Sequence, residues 1–185
     1  GLSRPKPAIG DYNGDGNVDV AAFNVNNNPM LIDGERHRPL WTLNSLTADV
    51  GAQLISADLN KNDLEDLVFV TSNGRVVAID GKHGAEIWVS PFFQAPFTGP
   101  PVISDFNGDG NTDVAIAEQT GALHVGFGNS INQVEWAIIS LGLSIRGPLT
   151  AADLDGDGAD EILCGSENGL VPVSYTHLRA HETVV

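Results

Sequence analysis

The chain has 185 residues, 24 of them acidic and 9 basic, for a net charge of -15. That balance repels nucleic acid and anionic lipid and favours a cationic partner. It also lacks a run of about 18 apolar residues to span a bilayer, a charged-then-apolar leader, and the cysteines for a disulfide or a thiolate zinc site, since Cys164 stands alone. Cys164 is expected to be a small buried strand residue. The chain opens on Gly1 rather than methionine and reads as a piece of a longer protein. With 21 glycines, 6% aromatic residues and little recurrence of apolar residues every three to four positions, it reads as turn-rich β structure.

The first feature in chain order is an acidic phrase of nine residues, Asp11-Tyr12-Asn13-Gly14-Asp15-Gly16-Asn17-Val18-Asp19, trailed by Asp33-Gly34 and Trp41. A variant follows, Asp58-Leu59-Asn60-Lys61-Asn62-Asp63-Leu64-Glu65-Asp66, trailed by Asp80-Gly81 and Trp88. Asp105-Phe106-Asn107-Gly108-Asp109-Gly110-Asn111-Thr112-Asp113 nearly restates the first, with Trp136 behind it. Asp153-Leu154-Asp155-Gly156-Asp157-Gly158-Ala159-Asp160-Glu161 is the fourth. The starts lie 47, 47 and 48 residues apart, and the tryptophans follow their loops by 30, 30 and 31. A constant period of this size marks a repeat architecture, here with repeats starting near residues 7, 54, 101 and 149.

Within the second repeat, short apolar runs separated by turn residues predict strands over 54–57, 67–71, 75–79 and 85–90. Four strands in about 47 residues match the blade of a β-propeller. A β-solenoid coil is usually shorter, and a β-sandwich has no reason to repeat a loop and a tryptophan at fixed offsets. The predicted fold is therefore all-β: a partial propeller of about three and a half four-stranded blades over residues 1–172, with a metal loop in each repeat. After Val171 the rhythm fails. Residues 173–185 resemble one reading frame of a transposon-type sequencing adapter and are expected to be non-native. On that reading the His177/His181/Glu182 spacing is not a zinc site.

The loops point to calcium. Positions 1, 3, 5 and 9 carry Asp, Asn or Glu, and position 7 offers a backbone carbonyl, so every donor is oxygen. Hard oxygen donors in a curling loop suit calcium, whereas zinc prefers nitrogen or sulfur and magnesium a tighter octahedron. The expected ligands are Asp11, Asn13, Asp15, Asn17 and Asp19; Asp58, Asn60, Asn62, Leu64 and Asp66; Asp105, Asn107, Asp109, Asn111 and Asp113; and Asp153, Asp155, Asp157, Ala159 and Glu161. Glycine at position 6 of three loops (Gly16, Gly110, Gly158) supplies the positive φ that lets the chain wrap an ion. An EF-hand would carry a glutamate at position 12 and flanking helices, but Ala22, Phe69, Ile116 and Cys164 stand there. The position-9 acid must close the coordination sphere instead. Up to four Ca2+ ions are expected, one per loop, with the four-carboxylate loop at Asp153 the strongest. The loop at Asp58 has two ligand carboxylates, Asp58 and Asp66, and is expected to be the weakest.

Asp105 to Asp113 followed by Val114-Ala115-Ile116-Ala117 resembles FG-GAP and VCBS-type repeats, the blades of integrin α-like propellers, and the resemblance covers Pro7 to about Val171. It implies a calcium site on a hairpin between strands. The integrin Phe-Gly before the loop and Gly-Ala-Pro after it are absent, so bacterial and archaeal FG-GAP-like proteins are the better match. Val76 to Gly81 through Trp88 is also similar to the tryptophan-docking repeat of quinoprotein-like propellers. That implies that Trp41, Trp88 and Trp136 lock neighbouring blades together.

No catalytic constellation is legible in the sequence: no Gly-x-Ser-x-Gly elbow and no phosphate loop, and His37, His83 and His124 at unequal offsets, read as solvated surface. The expected role is an extracellular or cell-surface scaffold that binds protein or carbohydrate. The alternative is the propeller of a calcium-dependent polysaccharide lyase. No nucleic-acid partner and no membrane insertion are expected.

Overall fold

In the computed structural model the residues described are 6–49, 52–94, 96–129, 133–167 and 169–174. They divide into two compact units, Gly1–Phe93 and Gln94–Val185. The segment from 175 onward, with most of the expected adapter-like tail, lies outside the described residues.

The first unit holds two four-stranded antiparallel sheets, each a simple meander. One is β1 (Ala8–Gly10), β2 (Asp19–Phe23), β3 (Pro29–Asp33) and β4 (Arg38–Thr42). The other is β5 (Ile55–Ala57), β6 (Asp66–Val70), β7 (Val76–Ile79) and β8 (Glu86–Val89), within about one residue of the strands the turn pattern predicts. Every residue of β6 and β7 is buried, which is why these strands read as unbroken apolar runs and not as alternation. The core of this unit joins Ala21 and Leu31 of the first sheet to Leu67, Phe69, Val77 and Ile79 of the second, with Tyr12 reaching in from its loop. Phe23 meets Phe69 edge-on at 5.4 Å, a favoured aromatic geometry.

The second unit repeats this plan with β9 (Val102–Ser104), β10 (Asp113–Ala117), β11 (Ala122–Gly128) and β12 (Val134–Ser140), then with the three strands β13 (Thr150–Ala152), β14 (Glu161–Ser166) and β15 (Gly169–Val173). Its core runs from Phe106 through Ala115, Leu123 and Val125 to Ile162, Cys164 and Val173. Cys164 is fully buried, as expected of it. Three complete sheets and one of three strands are the three and a half blades read from the repeat. Among the described residues no helix is long and apolar enough to cross a membrane.

Each acidic phrase joins the first strand of a sheet to the second, and each Asp-Gly turn joins the third to the fourth. Loop and turn therefore share one end of each of the first two blades, with the second-to-third hairpin at the other end.

The tryptophan expectation is met at Trp41. The Trp41 indole N-H donates to the carbonyl of Gly81 at 2.8 Å, from one blade to the turn of the next. The ring lies against Gly84, where a Cβ would stand 2.9 Å from Trp41 Cδ2.

Candidate metal loops

The loops are organised around their first and last acids. At position 1, Asp11 gathers the N-H groups of Gly14, Asp15 and Gly16 at 2.8–3.1 Å. Asp105 does the same for Gly108, Asp109 and Gly110, and Asp153 for Gly156 and Gly158. Side-chain oxygens at positions 3 and 5 then accept the amide two residues on, as in Asn13 to Asp15 and Asp15 to Asn17, or Asp155 to Asp157 and Asp157 to Ala159. Such local bonds fix the curl of each loop. The amide of Asn17 keeps the exposed Asp15 carboxyl below its ordinary range. Glycines at positions 4 and 6 take positive φ, from 72° at Gly108 to 92° at Gly158, and supply the curl.

The position-9 acid is buried in all four loops. Asp19 accepts the amides of Tyr12, Asn13 and Gly34. Asp66 accepts those of Leu59, Asn60 and Gly81, and Asp113 those of Phe106 and Gly128. One carboxylate thus ties its own loop to the turn between the third and fourth strands. That turn comes so close that a Cβ on Gly34, Gly81 or Gly128 would stand 1.8, 2.1 or 2.3 Å from a carbonyl oxygen of the loop. Glycine is therefore required at the second position of the turn, whereas the preceding residue varies from Asp33 and Asp80 to Phe127. Burial pushes the carboxyl of Asp66 up to about 6 and that of Asp113 up to about 7.

Glu161 differs from the other three. Among the described residues it accepts only the amide of Leu154, and its carboxylate gathers with Asp153 and Asp155, one oxygen from each lying within 4.8 Å of the others. The only other such acidic group among the described residues joins Asp15 to Asp33 and Glu35. Asp33 and Glu35 were not read as ligands, and Asp33 already accepts a bond from Arg36, whose backbone amide also holds its carboxyl below the ordinary range.

In the second loop, Lys61 and Asp63 occupy the two glycine positions and take the same turn, at φ 59° and 64°. Asp58 still accepts the amides of Asn62 and Asp63. The carboxamide oxygen of Asn60, at position 3, is buried with no hydrogen-bond partner, whereas Asn13 and Asn107 at the same position accept the position-5 amide. A buried acceptor without a donor costs about 1–3 kcal/mol, and a cation at this point is one way to satisfy it. The oxygen-only donor set, that unpaired oxygen and the Asp153/Asp155/Glu161 group all fit a hard cation.

Successive loops touch inside each unit. Gly14 lies against Leu64, and Gly108 against Ala159, in both cases position 4 against position 7. Asp160 accepts the Ser104 hydroxyl and its amide donates to the carbonyl of Asp105. A signal for this was present in the sequence: position 2 is aromatic in the first and third loops, Tyr12 and Phe106, and position 8 is acidic in the second and fourth, Glu65 and Asp160. The blades alternate in kind.

His124 corrects the surface reading of the histidines. It is 4% exposed on β11 and shares a 3.0 Å hydrogen bond with Glu118, which also accepts the Gln94 amide and the Thr120 hydroxyl. A central strand with both faces covered buries even its polar residues, provided they are paired. His83 is exposed in its turn, beside Asp80.

Residues 105–164 match the FG-GAP-like repeat. The matched segment runs from the third loop into β14, so the repeat that set the period is also the one the family recognises. Comparison with curated proteins finds no match. Among solved structures the chain is similar to BamB from Moraxella catarrhalis, with a TM-score of 0.59 and 16% identity over 92% of this chain and 43% of that one. It is similar to a rhamnogalacturonan lyase from Bacillus licheniformis, with a TM-score of 0.61 and 14% identity over 87% and 39%. It is also similar to the V. cholerae biofilm matrix protein Bap1, with a TM-score of 0.58 and 18% identity over 91% and 30%. The chain spans less than half of each of these proteins. They share the β-propeller fold with it, and the meandering blades of this chain are of that kind.

Proposed function

We propose that this chain is a calcium-loaded propeller module that works outside the cell as a scaffold for a protein or carbohydrate ligand. The observation that carries the calcium reading is the loop interior: oxygen donors at every odd position, one of them, Asn60 Oδ1, buried and unpaired. The extracellular setting rests on the metal chemistry, because loops of few carboxylates bind weakly and fill only where calcium is abundant. In the test, the chain is melted in excess calcium and in chelator. Binding at a hundred times Kd adds about 2.7 kcal/mol for a site present only in the folded state, so chelation is expected to lower the melting temperature. Equal melting in the two conditions would reduce the loops to ordinary turns.

A second reading, the propeller of a polysaccharide lyase, is favoured by the likeness to rhamnogalacturonan lyases. A biofilm matrix protein has the same fold, so that likeness alone does not select an activity. Release of unsaturated products from pectic polysaccharide would establish the lyase reading and displace the scaffold.

A further inference from the structure

In the first unit, a cleft of about 280 Å³ lies between the segment entering the second blade and the β6–β7 hairpin of that blade. Val77, Val89 and Leu46 give it an apolar part, and Ser45, Thr47, Ser72, Asn73, Arg75 and Glu86 its polar groups. The Arg75 guanidinium is braced from behind, one nitrogen donating to the carbonyl of Ser90 at 2.9 Å. Phe92 lies beside the hairpin, its ring 3.4 Å from where a Cβ on Gly74 would stand, and it is 61% exposed. A phenyl ring held open to solvent beside the hairpin that walls the cleft is a candidate stacking platform. No metal loop contributes to this cleft.

We propose that this cleft binds a short segment of neutral carbohydrate, with Phe92 stacking against a sugar ring at its hairpin end. A sugar offers an apolar C-H face and a rim of vicinal hydroxyls, each both donor and acceptor. Val77, Val89 and Phe92 match the face. A hydroxyl pair finds donors in Arg75 and Asn73, an acceptor in Glu86, and groups of either kind in the serines and Thr47. A carboxylate or phosphate ligand would gain Arg75 but meet the exposed charge of Glu86, so the set favours hydroxyls over anions. The volume falls just below the range of about 300–1,000 Å³ typical of drug-sized ligands, which suits a mono- or disaccharide unit of a longer chain. In the second unit a cleft of about 380 Å³ lies between Gln119 of the β10–β11 hairpin and the segment entering the fourth blade, lined also by Thr98, Ser144, Ile145 and Arg146.

This inference rests on the scaffold reading and narrows its ligand. The whole chain, saturated with calcium, is applied to an array of neutral and uronate-containing oligosaccharides, and calcium binding is followed separately by calorimetry. Binding to neutral chains is expected, weakened at least tenfold by Phe92→Ala and by Glu86→Ala with melting unchanged, and restored by Phe92→Trp. No binding, binding confined to uronate-containing chains, or binding indifferent to both substitutions would overturn the cleft. If calcium binds and no glycan does, only the cleft fails. If glycan binds and calcium does not, only the loop reading fails.

Discussion

The second and fourth loops share one backbone path and use their last acid for different ends. Asp66 is spent on the fold: three backbone amides from its loop and the facing turn converge on it. Glu161, one methylene longer, holds a single amide among the described residues and turns its carboxylate toward Asp153 and Asp155. The same position is a structural clasp in one blade and a candidate ligand in another. The sequence pattern, which records an acid at position 9 in both, is blind to the difference. Carboxylate count and loop shape are therefore separate properties, and the shape persists where the count falls.

The largest expected effect tests that division directly. Asp66→Ala strands the amides of Leu59, Asn60 and Gly81, of which the last bond is buried. At about 1–3 kcal/mol for each buried donor left unpaired, the loss is expected to reach about 3–5 kcal/mol. It should be present in chelator, where no bound ion can account for it. Glu161→Ala frees one amide and is expected to cost no more than about 1–3 kcal/mol in chelator, while removing the calcium-dependent rise contributed by the fourth loop. Denaturant melts of the two variants in both conditions check this. A calcium response lost with Asp66 and kept without Glu161 would reverse the assignment.

The raised carboxyl of Asp66 adds a pH signature. Its folded value of about 6 stands above the ordinary 3.8, so the folded state holds the extra proton between those values. Stability from this group is present at the acid end and falls as pH rises through the folded value. Asp113, at about 7, acts in the same sense. The Glu118/His124 pair opposes them, since hydrogen bonds from His124 and Thr120 hold the acid below its ordinary value and burial holds the histidine below its own, so acid weakens that contact. The share of Asp66 is isolated by difference. In chelator, Asp66→Asn is expected to lose less stability than the parent as pH rises from about 4 to about 6, the span between the unfolded and folded values. Parallel curves would show that the Asp66 carboxyl is not held up by burial.

Much of the fold was legible because the repeat multiplies weak local signals. One Asp-Asn-Gly stretch is only a turn, but four in register fixed the blades, and the strands of the second repeat fell within about one residue of β5 to β8. Trp41 was legible for the same reason. What escaped notice depends on contacts between segments distant in sequence. The Asp33-Gly34 and Asp80-Gly81 pairs were legible only as recurring markers, whereas the glycine is the residue the close approach demands, and Phe127-Gly128 keeps it after the acid has gone. His124 looked like surface because its offset matched no other histidine, yet its burial follows from the central place of β11 in its sheet.

The smallest expected effect asks what holds the second loop in shape. Lys61 sits at φ 59° where the fourth loop has Gly156 at 80°. A left-handed conformation costs a side-chain-bearing residue about 1–2 kcal/mol relative to glycine, part of which is recovered because glycine loses more chain entropy on folding, about 0.5–1 kcal/mol. Lys61→Gly is therefore expected to stabilise the chain by up to about 1 kcal/mol. Gly156→Ala, where a Cβ meets no atom within 4 Å, isolates the backbone strain and is expected to cost about 1 kcal/mol. Asp63 at φ 64° should gain less from glycine, since aspartate tolerates the left-handed region better than lysine. Opposite signs for Lys61→Gly and Gly156→Ala in chelator would mean that both loops hold one imposed turn without metal, which the second maintains against its own side chains. A destabilising Lys61→Gly would instead mean that the lysine side chain is what secures the second loop.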